Sequence, residues 1–398
     1  MTQPLSEKKK RRTSGNTDAE ARVGVAGWSM ALSLLMFGLG GFVWVGASAG
    51  PVLGVTPDSA AAGLPALLVY LALPRIVDRY APEPAWVLGL CVVLGALGAA
   101  GIAVAINDGV MSAMVAGGYT HSEALLRVTQ WVAPAVEECA KALPLLWLFF
   151  FARHEFDGVA DAVLAAIFVG LGFAFAENLA LSAWSAHLTA AEPATARIWL
   201  TPWVHPLFTV MTGVGLGLAR ERAGGGRMIA PLLGLLLACI MHMVWNQLHT
   251  RFALSTVVSL ALWGVCVGGL SALSYGLVQR KGRIVVAYLK DESLYGSITE
   301  EELALVGARF GRMLARLRFG PPGARFVDAA AKLALCKWHT TRARHARQGT
   351  LSAHLIAPLR AELAVQRAAI SLRLGTEMPQ PSRWVPTPKS METPTRYN

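Results

Sequence analysis

The stretch VAPAVEECAKALPLLWLFFF, residues 132–151, decides the fold. It is long and apolar enough to cross a bilayer as one helix, which takes about 20 residues. Yet it carries Glu137, Glu138 and Lys141 in its first half. Ionisable side chains inside a membrane are costly, and almost always face the interior of a helix bundle. The stretch therefore predicts a membrane helix that presents a polar face to neighbouring helices.

The composition of the whole chain supports this interpretation. Of its 398 residues, 54% are hydrophobic and 15% are charged, whereas soluble domains carry about 25% charged residues. Apolar runs of spanning length predict an all-α, polytopic transmembrane bundle of about eight spans. The runs lie at residues 28–48, 63–80, 86–106, 128–152, 158–186, 202–219, 229–249 and 254–278.

The positive charges predict the orientation of this bundle. Residues 280–398 contain 20 Lys and Arg against 9 Asp and Glu, and a second basic cluster precedes the first span. Basic tails of this kind are expected on the cytoplasmic side, so we do not expect a nucleic-acid partner. The even loops contain Arg75, Arg79, Arg153, Arg220, Arg222 and Arg227, whereas the odd loops contain only Arg127, Arg197 and Arg251. Both termini are therefore predicted to be cytoplasmic.

Four regions follow from this pattern. Residues 1–27 are predicted to be a basic cytoplasmic tail, and residues 28–279 the membrane domain. Residues 280–375 read as a cytoplasmic, mostly helical region, basic and amphipathic, that packs on itself or lies on anionic lipid. Residues 376–398 are predicted to be disordered. Ala47-Ser48-Ala49 resembles a signal-peptidase site, but the apolar run before it is long for a signal peptide, which favours an uncleaved first span.

Further polar side chains interrupt the next three spans. The fifth contains Glu177, the sixth opens with His205, and the seventh contains His242 and Asn246. At 1.5 Å per residue, the four helices place these groups and Glu138 in the outer half of the bilayer. This common depth predicts a single site between the helices.

The residue types at that depth suit peptide hydrolysis. The reaction needs a water molecule, a base that activates it and a donor for the developing oxyanion. Glu138 is the expected base, with Glu137 beside it and Lys141 holding one of the two charges. His205 or His242 would orient the water or protonate the leaving amine, and Asn246 would donate to the oxyanion.

Four motifs in order resemble the PrsW family of intramembrane proteases. These are Glu137-Glu138-x-x-Lys141, Phe173-x-x-x-Glu177-Asn178, His205-Pro206-Leu207-Phe208-Thr209 and His242-x-x-x-Asn246, within a resemblance that covers residues 65–250. The family looks related to the CAAX prenyl endopeptidase and Abi glutamate-dependent membrane proteases. The resemblance implies catalytic roles for Glu137, Glu138, Glu177, His205 and His242, with Lys141, Phe173, Asn178 and Asn246 in support.

The resemblance also implies a setting. It places the chain in the plasma membrane of a bacterium as a multi-pass protease domain, surrounded by membrane lipid. The substrate would be a single-span membrane protein, such as an anti-sigma factor, cut near the outer face of the membrane. The sequence does not indicate an oligomeric state.

Metal use and two other functions stay open at this stage. Glu177, His205 and His242 are the residues that would hold a zinc ion, but no HExxH motif is present, so we favour direct activation of water by Glu and His without a cofactor. A proton- or ion-coupled transporter would also bury Glu, Lys and His, although such transporters often contain repeated halves. An inactive scaffold is the third possibility.

Overall fold

The computed structural model describes residues 57–152, 155–185, 204–222, 225–252, 256–294, 296–345 and 353–375, and in addition two isolated positions nearer the N-terminus. The predicted first span, the N-terminal tail and the C-terminal tail lie outside the described residues. Within the described ranges every regular element is a helix. The chain divides into two compact units, one containing Glu83–Tyr275 with the residues up to Val77, and one containing Asp78–Pro82 with the residues from Gly276.

The first unit is built from long, mostly apolar helices. They are α1 (Pro57–Val77), α2 (Ala85–Val93), α3 (Ala100–Ala116), α4 (His121–Arg127), α5 (Ala133–Phe151), α6 (Val159–Ser185), α7 (Val204–Glu221), α8 (Ile229–Phe252) and the first half of α9 (Thr256–Leu294). Two π-helical turns, Leu94–Ala99 and Val128–Val132, join α2 to α3 and α4 to α5 without a loop. A 3₁₀ turn, Gly225–Met228, precedes α8.

Four stretches of the described helices are long and apolar enough to cross a membrane. They are Ala85–Ala116, Val159–Leu179, Gly226–Thr250 and Leu260–Leu294. They confirm an all-helical membrane protein, while the number of eight spans stays a prediction. The last stretch has 35 residues, which at 1.5 Å per residue exceeds the hydrocarbon core of about 30 Å.

The helix limits differ from the sequence prediction at three points. The third predicted span continues as a helix to Ala116. The helical run through the fourth begins at His121, because Thr120 and Glu123 form a capping box there. The eighth continues past Tyr275, where hydropathy falls, and its second half buries Val285 and Leu289 in the core of the second unit.

Helix α6 lies at the centre of the first unit, and glycines allow its neighbours to approach closely. A Cβ on Gly172 would lie 2.2 Å from the carbonyl oxygen of Val92, and one on Gly95 of the π turn 2.2 Å from that of Val169. On the α7 side, a Cβ on Gly217 would lie 2.4 Å from the Cα of Val159. Small residues at such crossings are typical of membrane helix packing. They fix the helix that carries Phe173 and Glu177.

The second unit contains the rest of α9 and four further helices. These are α10 (Glu300–Gly307), α11 (Gly311–Phe319), α12 (Pro321–His345) and α13 (Ile356–Leu374), with a 3₁₀ turn at Ala353–Leu355. Its apolar core includes Leu289, Leu333 and Leu363. Beside that core the fully buried Glu292 carboxylate accepts hydrogen bonds from Lys337, at 2.8 Å, and Arg360, at 2.6 Å.

Candidate active site

Helix α5 supplies the three charged residues of the site. The π-helical turn and Pro134 lead into it, and Glu137, Glu138 and Lys141 all lie on its buried part. Adjacent residues of a helix point about 100° apart, so Glu137 and Glu138 have different neighbours. Lys141, one turn further on, is fully buried.

Glu138 is surrounded by donors. Its Oε1 accepts a hydrogen bond from the Lys141 ammonium at 2.6 Å and another from Nδ1 of His242 at 3.0 Å. Its Oε2 lies 3.4 Å from the Thr209 hydroxyl, whose one proton has a nearer acceptor in the backbone oxygen of His205 at 2.9 Å. The side chain is 0% exposed. A carboxylate engaged in this way holds its neighbours in place but presents little free acceptor capacity to a further ligand.

Lys141 connects α5 to α6 and α7. Its ammonium lies 3.1 Å from Nδ1 of His205, and Nε2 of His205 lies 2.6 Å from a carboxylate oxygen of Glu177. An ammonium only donates, so Nδ1 of His205 accepts and its Nε2–H donates to Glu177. The ring is thereby held in one tautomer. Glu177, with 30% of its side chain exposed, is the most open of these residues.

The same reasoning assigns the tautomer of His242. A carboxylate only accepts, so Nδ1–H of His242 donates to Glu138, and neutral His242 keeps its lone pair on Nε2. That nitrogen lies 3.8 Å from Oε2 of Glu137. Oε2 of Glu137 is buried and has no hydrogen-bond partner among the described residues. Two acceptors thus face each other, an arrangement suited to a water molecule that donates to both or to a cation.

Aromatic rings support both histidines. Phe208 stacks on His242 with a centroid distance of 4.8 Å, and Phe173 packs against His205 at 5.2 Å. The Lys141 ammonium lies 4.2 Å from the centre of the Phe173 ring. Phe173, predicted as a supporting residue, therefore contacts both His205 and Lys141. Phe208 was not predicted as a site residue, although it lies within the His205 motif.

Comparison with known proteins supports the resemblance that the motifs indicated. Residues 83–272 match the model of the PrsW family intramembrane metalloprotease. The chain is similar to this family over these residues. The match confirms the resemblance seen in the motifs and supports a membrane-embedded peptidase. No curated protein and no solved structure shows a significant match to the chain.

The carboxylate–histidine cluster of this PrsW-like region consists of six side chains. It contains all five residues predicted to be catalytic, together with Lys141: Glu137, Glu138, Lys141, Glu177, His205 and His242. Two of the predicted supporting residues, Asn246 and Asn178, are not among these six side chains. The Asn246 amide donates to the backbone oxygen of Thr129 at 2.9 Å, so it is engaged outside the cluster. Asn178 is buried.

The family description names a metalloprotease, and the PrsW-like region contains donors that suit a metal. Glu137, His205 and His242 each offer a ligand atom, and the three atoms lie within 4.8 Å of one another. Two imidazole nitrogens and one carboxylate oxygen are a usual ligand set for catalytic zinc, and the unpartnered Oε2 of Glu137 suits the same use. This set contains Glu137 in place of the predicted Glu177, whose carboxylate contacts Nε2 of His205.

Proposed function

We propose that the chain is an intramembrane protease that hydrolyses a peptide bond near the outer face of single-span, anti-sigma-factor-like membrane proteins. One observation carries the proposal: two acceptors, Oε2 of Glu137 and Nε2 of His242, face each other 3.8 Å apart. A water molecule held by both would be oriented and polarised by a carboxylate and an imidazole at once. General-base catalysis of this kind contributes about 10²–10⁴-fold to a rate.

In this mechanism Glu137, not Glu138, is the base. Glu137 takes a proton from the water as the water oxygen attacks the carbonyl carbon of the substrate, and the carbonyl π electrons move to its oxygen. Glu137 then returns the proton to the amine nitrogen as the carbon–nitrogen bond breaks. The donors already bound to Glu138 suit it to a positioning role instead, because it fixes the His242 tautomer and accepts from Lys141.

His205 and Glu177 are proposed to face the substrate. The exposed fraction of the Glu177 side chain is the largest in the cluster, and Nε2–H of His205 is a donor held in position by Lys141. Rotation of Glu177 away from His205 would release that N–H toward the oxyanion, where a fixed donor is worth most in the transition state. Asn246 takes no part in this scheme.

A zinc ion would use residues of the same cluster, with His205 releasing a nitrogen from its contact with Lys141 or Glu177 to become a ligand. Glu137, His205 and His242 would hold it, and bound zinc would lower the pKa of its water and polarise the carbonyl. We nevertheless propose direct activation of water by Glu and His. Activity that survives a zinc chelator would support this mechanism, whereas activity lost to the chelator and restored by zinc would replace it.

The proposed setting is the plasma membrane of a bacterium, with eight spans and both termini in the cytoplasm. The basic second unit and the distribution of arginines between the loops support this orientation. The cluster would then lie in the outer half of the bilayer, within reach of the outer juxtamembrane segment of a single-span substrate.

New protein N-termini in membranes test the proposal. Cells expressing wild type, Glu137→Gln or Glu301→Gln at matched levels would be compared by mass spectrometry of N-terminal peptides. Glu301 is an exposed carboxylate in the second unit, so its substitution controls for expression and charge. Termini near the outer ends of single spans should appear with wild type and Glu301→Gln and disappear with Glu137→Gln. The same termini in all three would contradict the proposal and favour transport or scaffolding.

A further inference from the structure

Helix α11 has two apolar faces, only one of which is used in the fold. Gly311, Ala315 and Phe319 are buried against the second unit. The opposite face presents large apolar side chains at helical spacing, and between 47% and 76% of each is exposed: Phe310 just before the helix, then Met313, Leu314 and Leu317. The buried face already anchors the helix, so the outward face is not needed for the core.

The outward face is bordered by arginines. Residues 309–319 contain four arginines and no acidic residue. Arg312 forms an ion pair with Asp328 at 2.8 Å, whereas Arg309, Arg316 and Arg318 are exposed beside the apolar side chains. A short helix with an apolar face and a basic border suits the surface of an anionic bilayer, where the apolar groups enter the headgroup region and the arginines meet phosphates.

Contacts inside the second unit tie this face to a loop at the membrane boundary. The Arg79 guanidinium donates to the backbone oxygen of Arg309 at 3.1 Å and lies over the Phe310 ring at 5.3 Å. The Tyr80 hydroxyl donates to the backbone oxygen of Gly307 at 3.2 Å. Arg79 and Tyr80 belong to the loop that leads into the apolar stretch Ala85–Ala116. A spanning helix ends at the bilayer surface, so a loop of this kind lies there too.

We infer that the outward face of α11, formed by Phe310, Met313, Leu314 and Leu317 with Arg309, Arg316 and Arg318, docks on the anionic phospholipid of the bilayer. Phosphate diesters complement the arginines, and the acyl region takes the apolar side chains. The inference does not depend on proteolysis, since no residue of the cluster takes part. If the face bound an acidic protein or a second copy of the chain instead, a photo-cross-link from it would go to protein and not to lipid.

The test places a photoreactive benzoyl-phenylalanine at position 317 of the full chain. Leu372 on α13 is the matched control position, because it is also a highly exposed leucine of the second unit. Each protein would be placed in nanodiscs of phosphatidylcholine alone or with about 30% phosphatidylglycerol, an anionic lipid. After illumination, intact-mass spectrometry would count lipid adducts per chain.

We expect position 317 to give about fivefold more lipid adduct than position 372 in the anionic nanodiscs, a ratio in line with the attraction of one basic residue to an anionic surface. Arg316→Gln together with Arg318→Gln should reduce that adduct toward the level in phosphatidylcholine alone. Equal adducts at the two positions would overturn the inference. So would cross-links from position 317 to protein in place of lipid, which would assign the face to a partner or a second copy.

Discussion

Glu138 in the first unit and Glu292 in the second are both fully buried carboxylates that accept from a lysine. Around Glu292, two acidic residues (Asp291 and Glu292) meet two permanent cations, Lys337 and Arg360, and both oxygens of Glu292 have donors. The carboxylate–histidine cluster instead has three carboxylates for a single lysine, and it leaves Oε2 of Glu137 without a donor among the described residues.

This difference distinguishes a structural ion cluster from a site that can bind a ligand and take part in a reaction. A charge-balanced cluster with every acceptor satisfied stabilises a fold but offers nothing to a ligand. A cluster with surplus acceptors needs a proton, a water molecule or a cation to complete it. We therefore expect substitutions around Glu292 to change stability alone. In the carboxylate–histidine cluster, some substitutions should change stability and others the reaction.

The largest expected effect concerns Glu138. Glu138→Gln removes the strongest partner of the fully buried Lys141 ammonium, and breaking such a pair costs about 3–5 kcal/mol of stability. Thermal unfolding of the purified protein in detergent would measure the loss. The double variant Glu138→Gln, Lys141→Met should recover most of it, because the buried ammonium that lost its closest partner is removed as well. A double variant as unstable as the single one would contradict the pairing.

Glu292→Gln should destabilise the second unit by about 2–4 kcal/mol, somewhat less than a fully buried pair would lose. The reduction follows from Arg360, whose side chain is 45% exposed and can turn to solvent. Hydrogen exchange in α12 and α13 would measure the loss, with Glu301→Gln as the exposed control. Proteolysis of membrane substrates should continue, and its loss would mean that the second unit takes part in the reaction.

Acid should weaken the same region in a defined range. Glu292 lies in the second unit, beyond the apolar part of α9, and the hydrogen bonds and charges of Arg360 and Lys337 lower its pKa to about 2 despite its burial. An unfolded glutamate has a pKa of about 4.3. The folded state is therefore favoured by this group above about pH 5, and the contribution is lost as the pH falls toward 2. Hydrogen exchange across this range should show the loss in wild type and a flatter response in Glu292→Gln.

Zinc binding tests the surplus acceptors directly. If the purified, metal-free protein binds zinc at the cluster in titrations, the affinity should fall about 10–100-fold in His242→Ala, since a ligand or its immediate support is removed. His249→Ala is the control, because this histidine contacts the backbone oxygen of Trp245 one turn away. Equal loss in both variants would show that zinc binds elsewhere.

The smallest effect is expected for Asn246→Ala. Its amide donates to the backbone oxygen of Thr129, and one such hydrogen bond contributes about 1 kcal/mol. A modest fall in melting temperature, with the cleavage rate nearly unchanged, is the expected result. A loss of cleavage as large as that of Glu137→Gln would restore Asn246 as the oxyanion donor.

Much of the site could be predicted because a charge in an apolar run is conspicuous. Glu137, Glu138, Lys141, Glu177, His205 and His242 stand out against their surroundings, and the length of each run gives their depth. The division of roles between Glu137 and Glu138 could not be predicted. Adjacent residues of a helix differ by about 100° in direction, and the sequence does not contain the rotation of α5 against α7 and α8.

The fold was predictable to the same extent. Hydropathy indicated helices of spanning length, but not where they end. The π-helical turn at Val128–Val132 shifts the register of α5 relative to α4, and α9 continues past Tyr275 because a second core receives it. The partner of Asn246 could not be predicted for a related reason: the residue lies on the polar side of α8, but its amide donates to a backbone oxygen near the π turn.

The glycines at the helix crossings of α6 affect how relatives of this protein should be compared. A methyl group at Gly95 or Gly172 would meet a backbone carbonyl that cannot move aside, so selection would preserve these positions as strictly as any reacting carboxylate. An alignment would then contain two sets of invariant residues: side chains that react, and glycines that leave room for a neighbouring backbone. Invariance alone would therefore not separate residues kept for their chemistry from residues kept for close packing. A replacement of the same shape but without the reactive group would separate them. Such a replacement exists for Glu137, as glutamine, but not for Gly172.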